Sequence, residues 1–170
     1  MSTPEDTPAA TRILPLRLWL GLAVIIIVLD QASKAWFIGH LAYGERRPIL
    51  PFFDLTLLTN TGAAFSFLAG GDGWQRWLLA GVAVLSILLI IFLLVRHAGE
   101  RRFCAALALI LAGAAGNLID RVRDGEVIDF LLFYWNNWHF PAFNVADIAI
   151  TCGALLLILD EIGRLRRPSP

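Results

Sequence analysis

Apolar residues fall into four long runs separated by polar stretches. The runs cover residues 16–37, 74–95, 103–119 and 143–162. Each is close to the ~20 residues a helix needs to cross the hydrocarbon layer of a bilayer. The pattern predicts four transmembrane helices. Between the first two runs the pattern changes. Pro48 and Pro51 break helix, and PFFDLTLLTNTGAAFSF then has β-type composition around the turn signal Asn60-Thr61-Gly62. This insertion, residues 41–70, is too long for a bare loop and predicts a small sheet resting on the membrane face. A further β-like run covers residues 127–133. The expected fold class is a mainly α membrane protein: four transmembrane helices with a small β-sheet at the outer membrane face. One domain spans residues 16–163, between a polar, disordered tail at 1–15 and a short tail at 164–170.

Composition supports the membrane setting. The 170 residues are 58% hydrophobic and 16% charged, against about 25% charge in soluble domains. The net charge is zero, so no global field favours nucleic acid. Arg12, Arg17 and the first apolar run also fit a cleavable signal peptide. The i,i+4 pair Asp30 and Lys34 suits a retained helix end instead. Cys104 and Cys152 each lie in an apolar run and read as small core hydrophobes. His40, His97 and His139 have no metal-ligand spacing, and no metal or cofactor is expected.

Basic residues set an orientation. Arg96–Arg102 and Arg164–Arg167 are the positive ends, and Arg12 and Arg17 agree with them. The positive-inside rule puts both termini and the middle connection in the cytoplasm. Arg46, Arg47, Arg121 and Arg123 on the other side weaken the bias. The outer face then gathers the unusual polar residues: Asp30 and Lys34, Asn60, Asn117 to Arg121, and Asp129 to Asp147. Trp74 and Trp77 read as interface anchors. Trp135 and Trp138 read first as an interfacial belt and second as a substrate surface.

Two carboxylates stand out in this set. Asp129 follows the β-like residues Glu126, Val127 and Ile128, and Asp147 lies about one and a half turns inside the last apolar segment. A carboxylate in lipid is costly, so it faces the protein interior or a water-filled cavity and marks a functional site. Two of them in a partly dry site share a proton near neutrality. One then takes a proton from water while its neutral partner polarises a scissile carbonyl. Asn60, Asn144 and Arg121 are candidates to hold a substrate backbone or a developing oxyanion. For Asn60, plain turn chemistry is the competing reading. No Ser–His or Cys–His pattern competes. The alternative use of such aspartates is a small proton-coupled membrane carrier.

Five motifs in order carry a resemblance. They are Asp30-Gln31-x-x-Lys34, Asn60-Thr61-Gly62-Ala63-Ala64-Phe65-Ser66, Gly116-Asn117-Leu118-Ile119-Asp120-Arg121, Val127-Ile128-Asp129-Phe130 and Phe143-Asn144-Val145-Ala146-Asp147. Together they resemble bacterial lipoprotein signal peptidase, also called signal peptidase II, over nearly the whole chain. The resemblance implies an inner-membrane aspartic endopeptidase that cleaves diacylglyceryl-modified prolipoproteins just before the lipidated cysteine. It places the catalytic pair on Asp129 and Asp147, and substrate contacts on Asn60, Asn117, Arg121 and Asn144. Asp30 and Lys34 match a motif with a structural role. Asp120 is ambiguous, with a salt bridge to Lys34 or Arg121 as its plainer role. The implied partners are prolipoprotein substrates, membrane lipid and the inhibitor globomycin, without an oligomer. A site at the periplasmic surface would take the substrate's apolar helix between spans, with the long connection as cradle or lid.

Overall fold

The computed structural model describes residues 16–62 and 73–165. The tail at 1–15, the motif residues Ala63 to Ser66 and the chain beyond Leu165 lie outside the described residues. Among the described residues, four helices and four strands follow in order: α1 (Leu16–His40), β1 (Arg46–Leu50), β2 (Phe53–Asn60), α2 (Trp74–Arg96), α3 (Arg101–Arg123), β3 (Val127–Trp135), β4 (Trp138–His139) and α4 (Val145–Leu165). Three of the described helices, α1, α2 and α3, are long and apolar enough to cross a membrane. The fourth, α4, has 21 residues, but carries Asp147 in its first turn and Asp160, Glu161 and Arg164 near its end.

Helix α3 occupies the middle and packs against α1, α2 and α4. Its sequence explains that place. Cys104, Ala106, Leu107, Ala108, Leu111, Ala112, Gly113 and Gly116 are all buried, and small residues let neighbouring backbones approach closely in lipid. A Cβ built on Gly113 would lie 2.3 Å from the Ala146 carbonyl oxygen, and one on Gly153 would lie 2.7 Å from that of Ala106. These two glycines set the separation of α3 and α4. The outward faces of α1, α2 and α4 show the inverse composition: Val24, Ile25, Leu85, Leu88, Leu155 and Leu159 are all exposed. Apolar surface on the outside and small residues inside is the pattern of a multi-pass membrane protein.

The sheet has the order β1-β2-β3-β4, antiparallel throughout. Pro48 sits within β1, tolerable because β1 is an edge strand. The sheet joins the insertion to the segment after α3, with Leu58 opposite Asp129 and Asn60 opposite Val127. Side chains of β3 alternate between two faces. Ile128 and Phe130 pack with Phe37, Leu41 and Leu57 in a small core beneath the sheet. Phe37 and Phe130 stack at 4.2 Å between ring centroids. Val127 and Asp129 therefore take the opposite face.

Several boundaries differ from the sequence pattern. Helix α3 continues to Arg123 rather than stopping at residue 119. Its polar last turns are stable because their side chains find partners inside the protein. Gly125, at φ +88°, donates its N–H to the Asp120 and Arg121 carbonyls and closes the helix in the left-handed conformation glycine favours. Helix α4 begins at Val145, because Phe143 bridges to Leu131 at the sheet. Asp147 is thus in the first turn of α4 and not one and a half turns inside. Arg164, assigned to a tail by the pattern, is still helical and pairs with Asp160 and Glu100. Cys104 is buried, but Cys152 is exposed on α4 and is not a core residue.

Candidate active site

Asp129 and Asp147 approach each other through the start of α4. Asn144 immediately precedes that helix. Its side-chain oxygen accepts the Asp147 N–H at 3.0 Å, and Asp147 Oδ2 accepts the Asn144 N–H at 3.3 Å. This reciprocal pair has the logic of a capping box. It also fixes the catalytic candidate, since the capping carboxylate is Asp147 itself. The amide nitrogen of Asn144 faces the other way and donates to Asp129 Oδ1 at 2.8 Å and to the Ile128 carbonyl at 3.1 Å. One fully buried asparagine thus touches both carboxylates.

Asn117, on α3, holds the second oxygen of Asp147. Its Nδ2 donates to Asp147 Oδ1 at 2.8 Å. Its Oδ1 accepts from Asn144 Nδ2 and from Lys34 Nζ, each at 3.3 Å. Asp147 therefore accepts two N–H groups and Asp129 accepts one from a side chain. Burial pushes the Asp129 carboxyl up to about 8, with the Asp147 charge acting in the same direction and the Asn144 hydrogen bond and Lys34 opposing it.

Arg121 lies one turn beyond Asn117. It donates to the Gly62 carbonyl at 3.0 Å and to the Asn117 carbonyl at 3.3 Å. Its Nε is buried without an acceptor among the described residues. Asn60 ends β2, and its Oδ1 accepts the Gly62 N–H at 2.9 Å, an Asx turn. The turn reading of Asn60 thus has its geometry, and the same residue also lines the cavity described next.

Asn60, Asn117, Arg121, Asp129 and Asp147 form the polar end of a cavity of about 620 Å³. The rest of its wall is mostly apolar, from Leu79 and Val82 on α2 to Phe143, Ile148 and Ile150, with Thr151 among them. Asn144 supports both carboxylates from behind that wall. The polar end thus brings two carboxylates, two side-chain amides and a guanidinium into one space.

Lys34, Asp30 and Asp120 form a second, fully buried group beside the first. Lys34 Nζ pairs with Asp30 Oδ2 at 2.8 Å and Asp120 Oδ2 at 2.7 Å. Asp120 thus pairs with Lys34, rather than with Arg121. Asp30 Oδ1 accepts the Ala146 N–H at 2.9 Å. Gln31, present in the first motif but given no role from sequence, donates to Asp120 Oδ1 at 2.8 Å. The Ala146 N–H and the Gly62 carbonyl were invisible to sequence reasoning, because backbone groups carry no residue signature.

The family model and the named relatives agree on one family. Residues 22–163 match the family model described as signal peptidase (SPase) II. The lipoprotein signal peptidase of Ralstonia nicotianae is 57% identical over 149 residues, covering 88% of this chain and 86% of that protein. Its counterpart in Cupriavidus necator is 55% identical over 150 residues, with 88% and 86% covered. Among solved structures, a bacterial membrane enzyme determined by the in meso method at 2.3 Å resolution superposes with a TM-score of 0.81 at 26% identity, over 91% of this chain and 94% of that one. A second, at 1.9 Å resolution, gives 0.74 at 28% identity, over 89% and 95%. With a family model spanning most of the described residues and relatives above half identity, the chain belongs to the signal peptidase II family.

Proposed function

We propose that this chain is an aspartic endopeptidase that removes signal peptides from diacylglyceryl-modified prolipoproteins, cutting before the lipidated cysteine. Membership of the family and the names of its relatives support the substrate class. The observation that carries the aspartic mechanism is Asn144, hydrogen-bonded to both Asp129 and Asp147 at the polar end of one cavity.

The two carboxylates take different parts. Asp129, with its pKa pushed up to about 8 by burial, holds the shared proton at neutral pH. Asp147, held by two N–H donors, carries the charge. Asp147 removes a proton from water, and the oxygen attacks the scissile carbonyl carbon. Asp129 gives its proton to the carbonyl oxygen. The tetrahedral diol then collapses: the C–N bond breaks, the proton on Asp147 goes to the leaving amine, and a diol hydroxyl returns its proton to Asp129. The spare Nε of Arg121 is a donor for the substrate carbonyl or oxyanion. Asn60 and Asn117 contribute polar contacts along the peptide. Asn144, fully buried behind the cavity wall, serves in this reading as the brace of both carboxylates.

The apolar wall formed by α2 and α4 suits the hydrophobic signal helix, which would arrive laterally from lipid. In this reading α4 spans the membrane as a fourth helix. The sheet lies at the periplasmic face of the inner membrane, both termini are cytoplasmic, and residues 16–163 act as one monomeric domain. Globomycin is expected to bind at the polar end of the cavity.

Purified enzyme incubated with a diacylglyceryl-modified prolipoprotein tests the reading, with the cut located by mass spectrometry. Cleavage before the modified cysteine, lost in both Asp129→Asn and Asp147→Asn, is the expected result. Substantial cleavage by either variant would overturn the aspartic mechanism.

A further inference from the structure

We propose that Lys34 is a positioning residue for Asp147, acting through the side-chain amide of Asn117. The inference rests on the reading of Asp129 and Asp147 as the reacting pair.

Lys34 is fully buried, and an ammonium offers three N–H donors and no acceptor. Three acceptors surround it: Asp30 Oδ2 at 2.8 Å, Asp120 Oδ2 at 2.7 Å and Asn117 Oδ1 at 3.3 Å. Only the carbonyl end of an amide can face such a group. The NH₂ end of Asn117 must then point away, and it points at Asp147 Oδ1, 2.8 Å distant. Turning the amide over would put N–H against ammonium and carbonyl oxygen against carboxylate, two repulsive contacts at once. Asn144 Nδ2, 3.3 Å from the same Asn117 oxygen, enforces the same orientation. Lys34 thereby decides that Asp147 Oδ1 meets a donor.

The same cluster reaches Asp147 by a second route. Asp30, paired with Lys34, accepts the N–H of Ala146, the residue before Asp147. One ammonium thus controls an amide flip on α3 and the first turn of α4. An ion pair that only fastened α1 to α3 would need neither contact.

Removing Lys34 alone leaves two buried carboxylates facing each other, and such a protein is prone not to fold. The test therefore uses Lys34→Met with Asp120→Asn, which removes one positive and one negative charge together. We expect kcat for cleavage of a diacylglyceryl-modified prolipoprotein to fall about 10- to 100-fold, the scale of a misplaced reacting group. KM is expected to stay within about 2-fold, since Lys34 lines no part of the cavity. Asn117→Ala should lose a similar factor, and combining it with the charge-matched pair should lose little more. Losses that multiply would overturn the proposal in favour of a merely structural ion pair.

A second measurement starts from the parent enzyme. In ¹⁵N-labelled enzyme, one Asn117 side-chain N–H proton should be shifted downfield and protected from solvent exchange, and Asp147→Asn should move it. An unshifted, freely exchanging amide would overturn the proposal. If Asp129→Asn or Asp147→Asn still cleaves, it is the reacting-pair reading that falls, while the amide signal, compared between the parent and the charge-matched Lys34→Met, Asp120→Asn pair, continues to report on Lys34.

Discussion

At the scale of residues, the asymmetry between the two carboxylates has consequences in pH. Asp129 is raised from an ordinary 3.8 to about 8 by burial and by its neighbour's charge. If its proton is needed at the scissile carbonyl, kcat/KM holds on the acid side of 8 and falls as pH rises through about 8. A profile flat from pH 7 to 10 would contradict this. The same shift has a stability consequence that runs in the same direction. Between pH 4 and 8 the unfolded chain has released this proton and the folded chain retains it, so stability declines as pH rises across that window. Asp129→Asn removes the titration. It should therefore melt above the parent at pH 8 while being inactive, with the gap closing towards pH 4 in calorimetry. Arg121 gives a separate prediction. Its Nη atoms are engaged by backbone carbonyls while Nε has no acceptor among the described residues. Arg121→Lys keeps the charge but loses the fork. It should lose about 10-fold or more in kcat with normal membrane insertion, and full activity in Arg121→Ala would remove this residue from the site. The two aspartates were legible in sequence because a carboxylate next to an apolar run is conspicuous. Asn144 was legible as a polar motif residue, but its double contact was not. That contact depends on a helix starting one residue later and on a strand passing behind it.

At the scale of elements, α3 and α4 carry the working geometry between them. Gly113 faces the carbonyl of Ala146, next to Asp147, whereas Gly153 faces Ala106 and Ile110 further along the same pair of helices. A methyl group at either position meets backbone and forces the helices apart. Gly113→Ala and Gly153→Ala should both lower the melting temperature. Only Gly113→Ala should also reduce kcat by about 10-fold or more, because only it displaces the first turn of α4. Equal kcat losses in both would show that helix spacing as a whole matters, and not this turn. Element existence followed from the hydrophobic pattern, and element ends did not. The pattern stops at Ile119 because Asp120, Arg121 and Arg123 are polar, yet the backbone continues to Arg123. Lys34 and Gly62 supply partners to those side chains from distant parts of the chain. No local rule can see a partner on another helix. The sheet shows the same limit: its strands come from both sides of α2 and α3, so composition indicated β structure but not its pairing.

At the scale of the whole molecule, the exposed apolar faces and the basic ends argue for one orientation. Arg96, Arg101 and Arg102 lie at the end of α2 and the start of α3, and the sheet lies at the opposite ends of these helices. If α4 spans, a phosphatase fused after Pro170 should be inactive in the periplasm, and a green fluorescent reporter there should glow. The reverse would put the two aspartates on the cytoplasmic face.

The central place of α3 bears on how such a protein is made. This helix is much less apolar than α2, with hydropathy 1.8 against 3.2 in their best windows, and is the most buried of the three. Alone in lipid, its small and polar residues would have little to hold them there. Only residues 97–100 separate it from α2, so the two can enter the bilayer as a hairpin, the apolar member carrying the other. Asp30 and Lys34 are then already waiting on α1. The first turn of α4 is the last part to arrive, and it brings Asn144, the Ala146 N–H and Asp147 together. A nascent chain stalled before that point has Asp129 without its brace and without its partner. If Asp129 and Asp147 are the reacting pair, that pair is assembled only once the first turn of α4 has been made, and a chain stalled before it cannot cut anything in the membrane it is entering.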